Sequence, residues 1–239
     1  LYNNASEFYR AENGQPIGYF WGYKTAGIFQ NTQEIDEWRA AGNGILQSNV
    51  QPGDVRFVDR NHDGQINDKD KVNLGNGTPD FTLGLNLGFV YKGFDFSIVA
   101  NGAFGQQIVQ SYRNHTRPTP NYTTAILDRW HGEGTSNRIP RVTDSNINYQ
   151  FSDLFIQNGD YLRLSTLTLG YDFAKLFKGK AVSQARLYFQ VQNLFTITGY
   201  DGMDPEIGFG SSNNSWVSGL DYGYYPRPRT VLVGVNLKF

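Results

Sequence analysis

The chain has 239 residues and a nearly balanced charge, with 21 Lys and Arg against 22 Asp and Glu. No basic excess is available to neutralise phosphates, which argues against a nucleic-acid partner. Cysteine is absent and three His are present, so disulfides, thiolate metal sites and cysteine catalysis are excluded and a zinc site is poorly supplied with ligands. The 15% aromatic content and the 27 Gly are typical of an all-β protein.

Residues 1–80 are predicted to be a loop region that carries one short helix. Residues 18–30 are aromatic and glycine-rich, and they are predicted to be extended. The next segment begins at Asn31, a good N-cap residue, and has Glu34 at the spacing of a capping box. Gly42 can end a helix. The pattern therefore predicts a short helix between Asn31 and Gly42.

The sequence DRNHDGQINDKD, residues 59–70, has the spacing of an EF-type calcium loop, with Gly64 at the sharp turn. The oxygen ligands predicted by this spacing are Asp59, Asn61, Asp63, the carbonyl of Gln65, Asn67 and Asp70. Asp70 departs from the pattern because it replaces a longer Glu, and extended segments flank the loop. The ion would be Ca²⁺ or another hard cation. The alternative is a turn without an ion, in which the Asn and Asp side chains accept hydrogen bonds from nearby backbone N–H groups.

From residue 81 onwards the sequence alternates between apolar and small or polar residues. In FTLGLNLGFVY, residues 81–91, every odd position is apolar, which is the period of a β-strand with one apolar face. Gly93 supplies a tight turn, and the alternation resumes over residues 94–104. These two segments predict a long β-hairpin.

Three later segments are also predicted to be strands. They are residues 161–173, with a register shift expected near Ser165, residues 185–195, and residues 230–239. A modest connection near Lys178 and long loops over 105–160 and 196–228 separate them. The second long loop holds aromatic residues that could contact a substrate or a lid: Tyr200, Trp216, Tyr222, Tyr224 and Tyr225.

The length of these strands favours a membrane barrel. They run to about ten or eleven residues, whereas strands of globular proteins have about 5–6 and tilted membrane strands need about 9–11. Short turns alternate with long loops, and aromatic residues cluster at strand ends, as in outer-membrane barrels. Five strands cannot close a barrel, so the chain is predicted to be the C-terminal part of a larger one, with Phe239 as its C-terminal signal. A secreted calcium-dependent β-sandwich binding module remains the alternative.

Six segments, in order, resemble the C-terminal region of SusC/RagA-type TonB-dependent outer-membrane transporters. They read PIGYFWGYKTAGIFQ, PGDVRFVDRNHDGQIND, GNGTPDFTLGLNLGFVYKGFDF, NGDYLRLSTLTLGYDF, ARLYFQVQNLFTITGYDGMDPE and YYPRPRTVLVGVNLKF. The resemblance implies an all-β fold, the C-terminal part of a large antiparallel transmembrane β-barrel of about 22 strands with long extracellular loops. It also implies a bacterial outer-membrane location, and it suggests that a Ca²⁺ ion at residues 59–70 would be a structural clip in an extracellular loop.

The resemblance also implies partners outside this chain. They are the remainder of the barrel and its plug, TonB, membrane lipid and a SusD-like surface lipoprotein, and the imported solutes would be oligosaccharides or peptides. If Phe239 ends in the periplasm, the turns at Lys92 and near Lys178 are periplasmic. Residues 1–80 then form an extracellular loop region, and residues 81–239 hold the barrel strands with extracellular loops 105–160 and 196–228.

No enzyme activity is expected. Three carboxylates of the last long loop, Asp201, Asp204 and Glu206, have the residue type of a glycosidase pair. In a loop without a visible cleft, they are predicted to be solvated instead. The chain is therefore predicted to have no catalytic residues.

Overall fold

The computed structural model describes residues 8–111, 124–143, 146–174, 182–207 and 218–239. The chain forms two compact units. Unit 1 comprises Leu1–Gly77, Ile108–Gln157 and Gly208–Gly223, and unit 2 comprises Thr78–Gln107, Asn158–Ile207 and Tyr224–Phe239. Each unit therefore gathers segments that lie far apart in the sequence.

Strands dominate the described residues. In chain order they are β1 (Tyr9–Arg10), β2 (Tyr19–Gly22), β3 (Thr25–Ile28), β4 (Val55–Phe57), β5 (Val72–Asn73), β6 (Phe81–Tyr91), β7 (Phe94–Phe104), β8 (Gln107–Gln110), β9 (Ile156–Asn158), β10 (Tyr161–Asp172), β11 (Gln184–Thr198), β12 (Leu220–Asp221) and β13 (Thr230–Lys238). The α-helix α1 covers Thr32–Ala40, and short 3₁₀ helices cover Asp68–Asp70, Thr124–Asp128, Asn146–Tyr149 and Asp153–Phe155. Within the described part of the chain, no helix combines the length and the apolar character needed to cross a membrane.

Helix α1 begins and ends where its local signals predict. The Asn31 side chain accepts a hydrogen bond from the backbone N–H of Glu34 at 2.9 Å. The Glu34 carboxylate in turn accepts a hydrogen bond from the backbone N–H of Gln30. Gly42 follows the helix with a φ of +79°, a conformation that favours glycine. The helix predicted from the sequence is therefore confirmed.

Unit 1 combines small sheets with two hydrophobic cores. Its sheets have the orders β1-β2-β5, β12-β8-β9 and β3-β4. The buried members of the first core are Phe8, Tyr9, Phe20, Leu74, Val109, Phe151 and Leu220. Those of the second are Tyr23, Val55, Phe57 and Ile66. Because short strands bury little surface by themselves, these packed side chains hold the segments of unit 1 together.

Unit 2 contains one five-stranded antiparallel sheet with the order β13-β11-β10-β7-β6. Strands β6 and β7 pair from Phe81 opposite Phe104 to Tyr91 opposite Phe94. The two-residue turn between them has positive φ values at Lys92 and Gly93, which is typical of a tight hairpin turn. The predicted hairpin is confirmed.

The sheet carries one irregularity in its middle strands. The pairing of β10 with both β7 and β11 shifts between Leu164 and Thr166, which confirms the register shift predicted near Ser165. On β11 the extra residues include Asn193, with a φ of +51°. Its side chain donates a hydrogen bond to the Pro228 carbonyl at 3.0 Å. This bulge links β11 to the segment that leads into β13.

Candidate functional site

One face of the unit 2 sheet presents apolar side chains on all five strands. The register places Phe89, Phe96, Leu169, Phe189 and Val233 in one row across the sheet. Four of these side chains are between 41% and 71% exposed. A continuous apolar surface of this kind is rare on soluble monomers, because it is unfavourable in water. The face is suited to contact with hydrocarbon.

The opposite face of the same sheet is polar and carries an ion pair. Arg186 on β11 forms a bidentate pair with Asp95 on β7, with a distance of 2.7 Å from Nε to Oδ1. The pair crosses β10 at Gly170, where an added Cβ would collide with both partners. The guanidinium of Arg186 also lies 4.9 Å from the centroid of the Tyr188 ring. A glycine in a strand interior often marks such a close approach, and it was the available sequence signal for this pair.

A second charged cluster surrounds Arg163 on β10. Its side chain is 4% exposed and contacts Asp204 at 2.6 Å and Glu206 at 2.9 Å. Arg227 also contacts Glu206 at 2.9 Å. The prediction that these carboxylates are solvated is wrong for Asp204, which is buried because it pairs with Arg163. Ion pairing gives Asp204 and Glu206 a structural role, and sequence reasoning missed Arg163.

A cavity of about 310 Å³ lies beside this cluster. Its lining includes Arg163, Phe195, Tyr200, Met203, Arg227 and Arg229. The cavity therefore combines aromatic and apolar surface with guanidinium groups, a combination that can bind a solute with an apolar part and an anionic or hydroxyl-rich part.

The predicted aromatic contact residues do not all fall in this cavity. Tyr200 lines it and is buried. Tyr224 and Tyr225 also belong to unit 2, are 39% and 87% exposed, and are absent from the cavity lining. Tyr222 belongs to unit 1, and Trp216 lies outside the described residues. A contact between this set and a substrate or lid stays a prediction.

The calcium-like loop lies between β4 and β5 in unit 1, and its first carboxylate is buried. Asp59 is 1% exposed, and its Oδ2 accepts hydrogen bonds from the backbone N–H of Gly64 at 2.8 Å and of Gly44 at 3.2 Å. Its Oδ1 is buried without a hydrogen-bond partner in the described part of the chain. Burial acts to raise the pKa of Asp59, but the amides of Gly64, Gly44, His62 and Asp63 outweigh it and lower that pKa. The carboxylate therefore stays ionised.

The last carboxylate of the loop is already committed to backbone groups. Asp70 is fully buried; its Oδ1 accepts from the N–H of Arg60 at 2.9 Å and its Oδ2 accepts from the N–H of Asn67 at 2.8 Å. Asn67 caps the 3₁₀ helix at Asp68–Asp70 by accepting from the N–H of Lys69. Self-capping, the predicted alternative to metal binding, is thus present at this end of the loop.

The remaining predicted ligands are near the surface. The Asn61 side chain accepts from the N–H of Asp63 at 3.1 Å, and Asp63 accepts from the N–H of Gln65 at 2.9 Å. Gly64 takes the turn with a φ of +79°. In the described residues, no three His, Asp or Glu side chains converge as a metal cluster. An ion here would have to combine amide and carbonyl oxygens with fewer than three carboxylates.

Comparison with known proteins gives consistent relatives, although no family model matches the chain. It is 34% identical over 237 residues to TonB-dependent receptor P3 of Formosa agariphila, an alignment that covers 95% of this chain and 22% of that receptor. It is 31% identical over 197 residues to TonB-dependent receptor SusC of Bacteroides thetaiotaomicron, covering 82% of this chain and 18% of SusC. The chain thus spans about a fifth of the length of these curated relatives.

Solved structures show the same fold. A structure of the RagAB peptide importer in the closed-closed state matches with a TM-score of 0.68 and 21% identity, covering all of this chain and 24% of the matched one. The open-open state matches with a TM-score of 0.65 and 21% identity, over 97% of this chain and 24% of the matched one. These likenesses support the same β-barrel architecture for the sheet of unit 2.

Proposed function

Because this chain is a homologous part of the SusC-type TonB-dependent receptors, we propose that it forms part of the wall and outer loops of an outer-membrane nutrient transporter. The relatives are receptors of the outer membrane and not enzymes, so the predicted all-β fold class, location and lack of enzyme activity are confirmed. A barrel of about 22 strands stays a prediction, as does Phe239 as a C-terminal signal.

The observation that carries this proposal is the apolar face of the unit 2 sheet. Strands of 11 residues, such as β6 and β7, have the length that a tilted membrane strand needs. Their apolar side chains are exposed on one face, while Arg186 and Asp95 pair on the other. Lipid-facing and lumen-facing residues alternate in this way in outer-membrane barrels.

The alternative of a secreted β-sandwich is less well supported. In a sandwich, the apolar face of one sheet packs against a second sheet about 10 Å away. In the described residues, Leu87 and Val233 of that face are 53% and 71% exposed. The sheet therefore lacks the burial that would stabilise a sandwich in water.

The partners and the substrate class are part of the same proposal. We infer that TonB drives import and that a SusD-like lipoprotein covers the extracellular mouth, while other segments supply the plug and the rest of the barrel. The RagAB structures are those of a peptide importer, which supports peptides. The resemblance to SusC/RagA-type transporters keeps oligosaccharides as the second class. The cavity lined by Tyr200 and Arg229 offers a described surface that could contact either solute.

A charge placed on the apolar face tests the membrane assignment. Leu87→Arg, near the middle of β6, is expected to cost about 2–4 kcal/mol in the complete protein, because it puts a charge into hydrocarbon. The neighbouring Asn86→Arg is the control, since its side chain lies on the other face. The measurement is the fraction of heat-modifiable, outer-membrane-assembled protein. Equal assembly of both variants would contradict the proposal.

Uptake by cells tests the transport function itself. Labelled oligosaccharides and labelled peptides should enter cells that carry the complete transporter, and uptake should stop in cells without TonB. Removing the partner lipoprotein should reduce the uptake of the same solute. Uptake that does not depend on TonB would contradict the proposed energy source, whereas the solute that enters identifies the substrate class.

A further inference from the structure

Asp59 holds a buried oxygen that its surroundings do not satisfy. In the described part of the chain, Oδ1 of this carboxylate is buried without a hydrogen-bond partner, while Oδ2 accepts from the amides of Gly64 and Gly44. A carboxylate oxygen that is buried and unpaired is costly, and such a group calls for a partner such as an ion. Because Oδ2 bonds to the amide of Gly64, the Asp59 carboxylate faces the turn of its own loop.

Other oxygens of the same loop can still bind an ion. The side-chain oxygens of Asn61 and Asp63 and the carbonyl of Gln65 occupy positions 3, 5 and 7 of the EF-type spacing. Asn61 Oδ1 and Asp63 Oδ1 each accept one hydrogen bond from the loop backbone. A carbonyl or carboxylate oxygen has two lone pairs, so one hydrogen bond leaves capacity for a metal.

The second half of the loop is anchored independently of any ion. Ile66 packs in the core of unit 1 with Tyr23, Val55 and Phe57. Asp70 closes the far end through the amides of Arg60 and Asn67. The turn at Gly64 has the positive φ that this position of a calcium loop requires. Little conformational entropy would be lost on binding.

We propose that residues 59–70 bind one calcium ion through Oδ1 of Asp59, the side chains of Asn61 and Asp63 and the carbonyl of Gln65, with water completing the coordination. Asp70 is left out of the ligand set because its Oδ1 accepts from the amides of Arg60 and Asn61 and its Oδ2 from that of Asn67, which occupies three of its four lone pairs. The ion fastens an otherwise surface-exposed turn to the core of unit 1. With two carboxylates in the set, its affinity belongs in the range of about 10⁻⁴–10⁻³ M that is typical of extracellular modules. The inference does not depend on the transported substrate.

Calorimetry on the complete protein in detergent, after removal of metals with EDTA, tests this site. Titration with CaCl₂ should give one saturable binding event, and MgCl₂ should bind more weakly because Mg²⁺ demands a stricter octahedral geometry. Asp59→Asn should weaken calcium binding about tenfold or more. Its amide oxygen can still accept from Gly64, while its NH₂ replaces the ligating oxygen.

Asp68→Asn is the matched control, because it removes the same charge from the same loop at a non-ligand position. Asp68 is mostly exposed and pairs with Lys71, and its variant should keep calcium affinity within about twofold. Calcium should also slow tryptic cleavage after Arg60 and Lys69 in the unmutated protein and in Asp68→Asn, but not in Asp59→Asn. The absence of calcium binding in the unmutated protein, or equal weakening by both variants, would overturn the proposal.

Discussion

The two units of this chain place the same residue types in opposite environments. In unit 1, Phe8 and Phe20 are at most 1% exposed and pack in a core with Phe151. In unit 2, Phe89 and Phe94 are 62% and 61% exposed on the face of a sheet. Unit 1 is therefore built as a water-soluble protein is, and unit 2 is built for a solvent that is itself apolar. The presence of hydrophobic residues alone does not reveal whether they pack in a protein core or face an apolar solvent.

Charged residues show the same contrast. Unit 1 buries Asp54, whose carboxylate pairs with Arg141 at 2.7 Å and accepts from Asn148 at 2.8 Å. Unit 2 buries Arg163 and pairs Asp95 with Arg186 on the side away from its apolar face. The charges named here are paired in both units, because an unpaired buried charge is costly. The difference is that in unit 2 the Asp95–Arg186 pair lies on one face of a sheet whose other face exposes apolar side chains.

The largest expected difference comes from the same truncation in both units. Phe20→Ala should destabilise unit 1 by about 3–5 kcal/mol, because it leaves a cavity beside Phe151. Phe89→Ala on the apolar face should cost clearly less, because lipid can fill the space. Hydrogen exchange of the two units in the complete, detergent-purified protein measures both effects. Equal losses would mean that Phe89 is packed against protein.

Breaking the Arg163 cluster should have an effect of similar size in unit 2. Arg163→Ala leaves the buried Asp204 carboxylate unpaired, and this should cost about 3–5 kcal/mol. Arg227→Ala, at a side chain that is 56% exposed, should cost at most about 1 kcal/mol. Urea unfolding of the complete protein measures the two losses. A small loss of stability in Arg163→Ala would show that water reaches the Asp204 carboxylate more than its burial indicates.

A methyl group at Gly170 should disturb the polar face of the sheet. Gly170→Ala should cost about 1–3 kcal/mol, because its Cβ would collide with Asp95 and Arg186. Gly84→Ala on β6 is the control, since no atom lies within 4 Å of its added Cβ. The thermal midpoint of the heat-modifiable band distinguishes them. If both variants melt alike, the ion pair does not cross the sheet at Gly170.

The smallest predicted effect concerns the cap of helix α1 in unit 1. Asn31→Ala should cost about 1 kcal/mol, because the N–H of Glu34 loses its acceptor. Asn31→Ser should retain most of the stability, since serine can accept the same hydrogen bond. Hydrogen exchange of residues 32–40 measures the loss. A larger effect in β6 than in the helix would contradict the separation of the two units.

Local patterns in the sequence were sufficient to predict most of the regular structure. The alternation over residues 81–104 predicted β6, β7 and their turn, because a strand places successive side chains on opposite faces. Asn31 and Gly42 predicted the ends of α1, because capping acts within a few residues. The length of the strands also predicted the membrane setting, because the thickness of the bilayer fixes how many residues a membrane strand needs.

Long-range pairing was decided by the tertiary structure alone. Arg163 lies 41 residues from Asp204, and Arg186 lies 91 residues from Asp95. No periodicity relates such positions, so the sequence predicted solvated carboxylates where the fold buries Asp204 in an ion pair. In the loop at residues 59–70, the spacing predicted six ligands. The fold assigned Asp70 to backbone amides and, within the part of the chain that the structure describes, left one oxygen of Asp59 without a hydrogen-bond partner, because only the folded chain decides which donors reach each carboxylate.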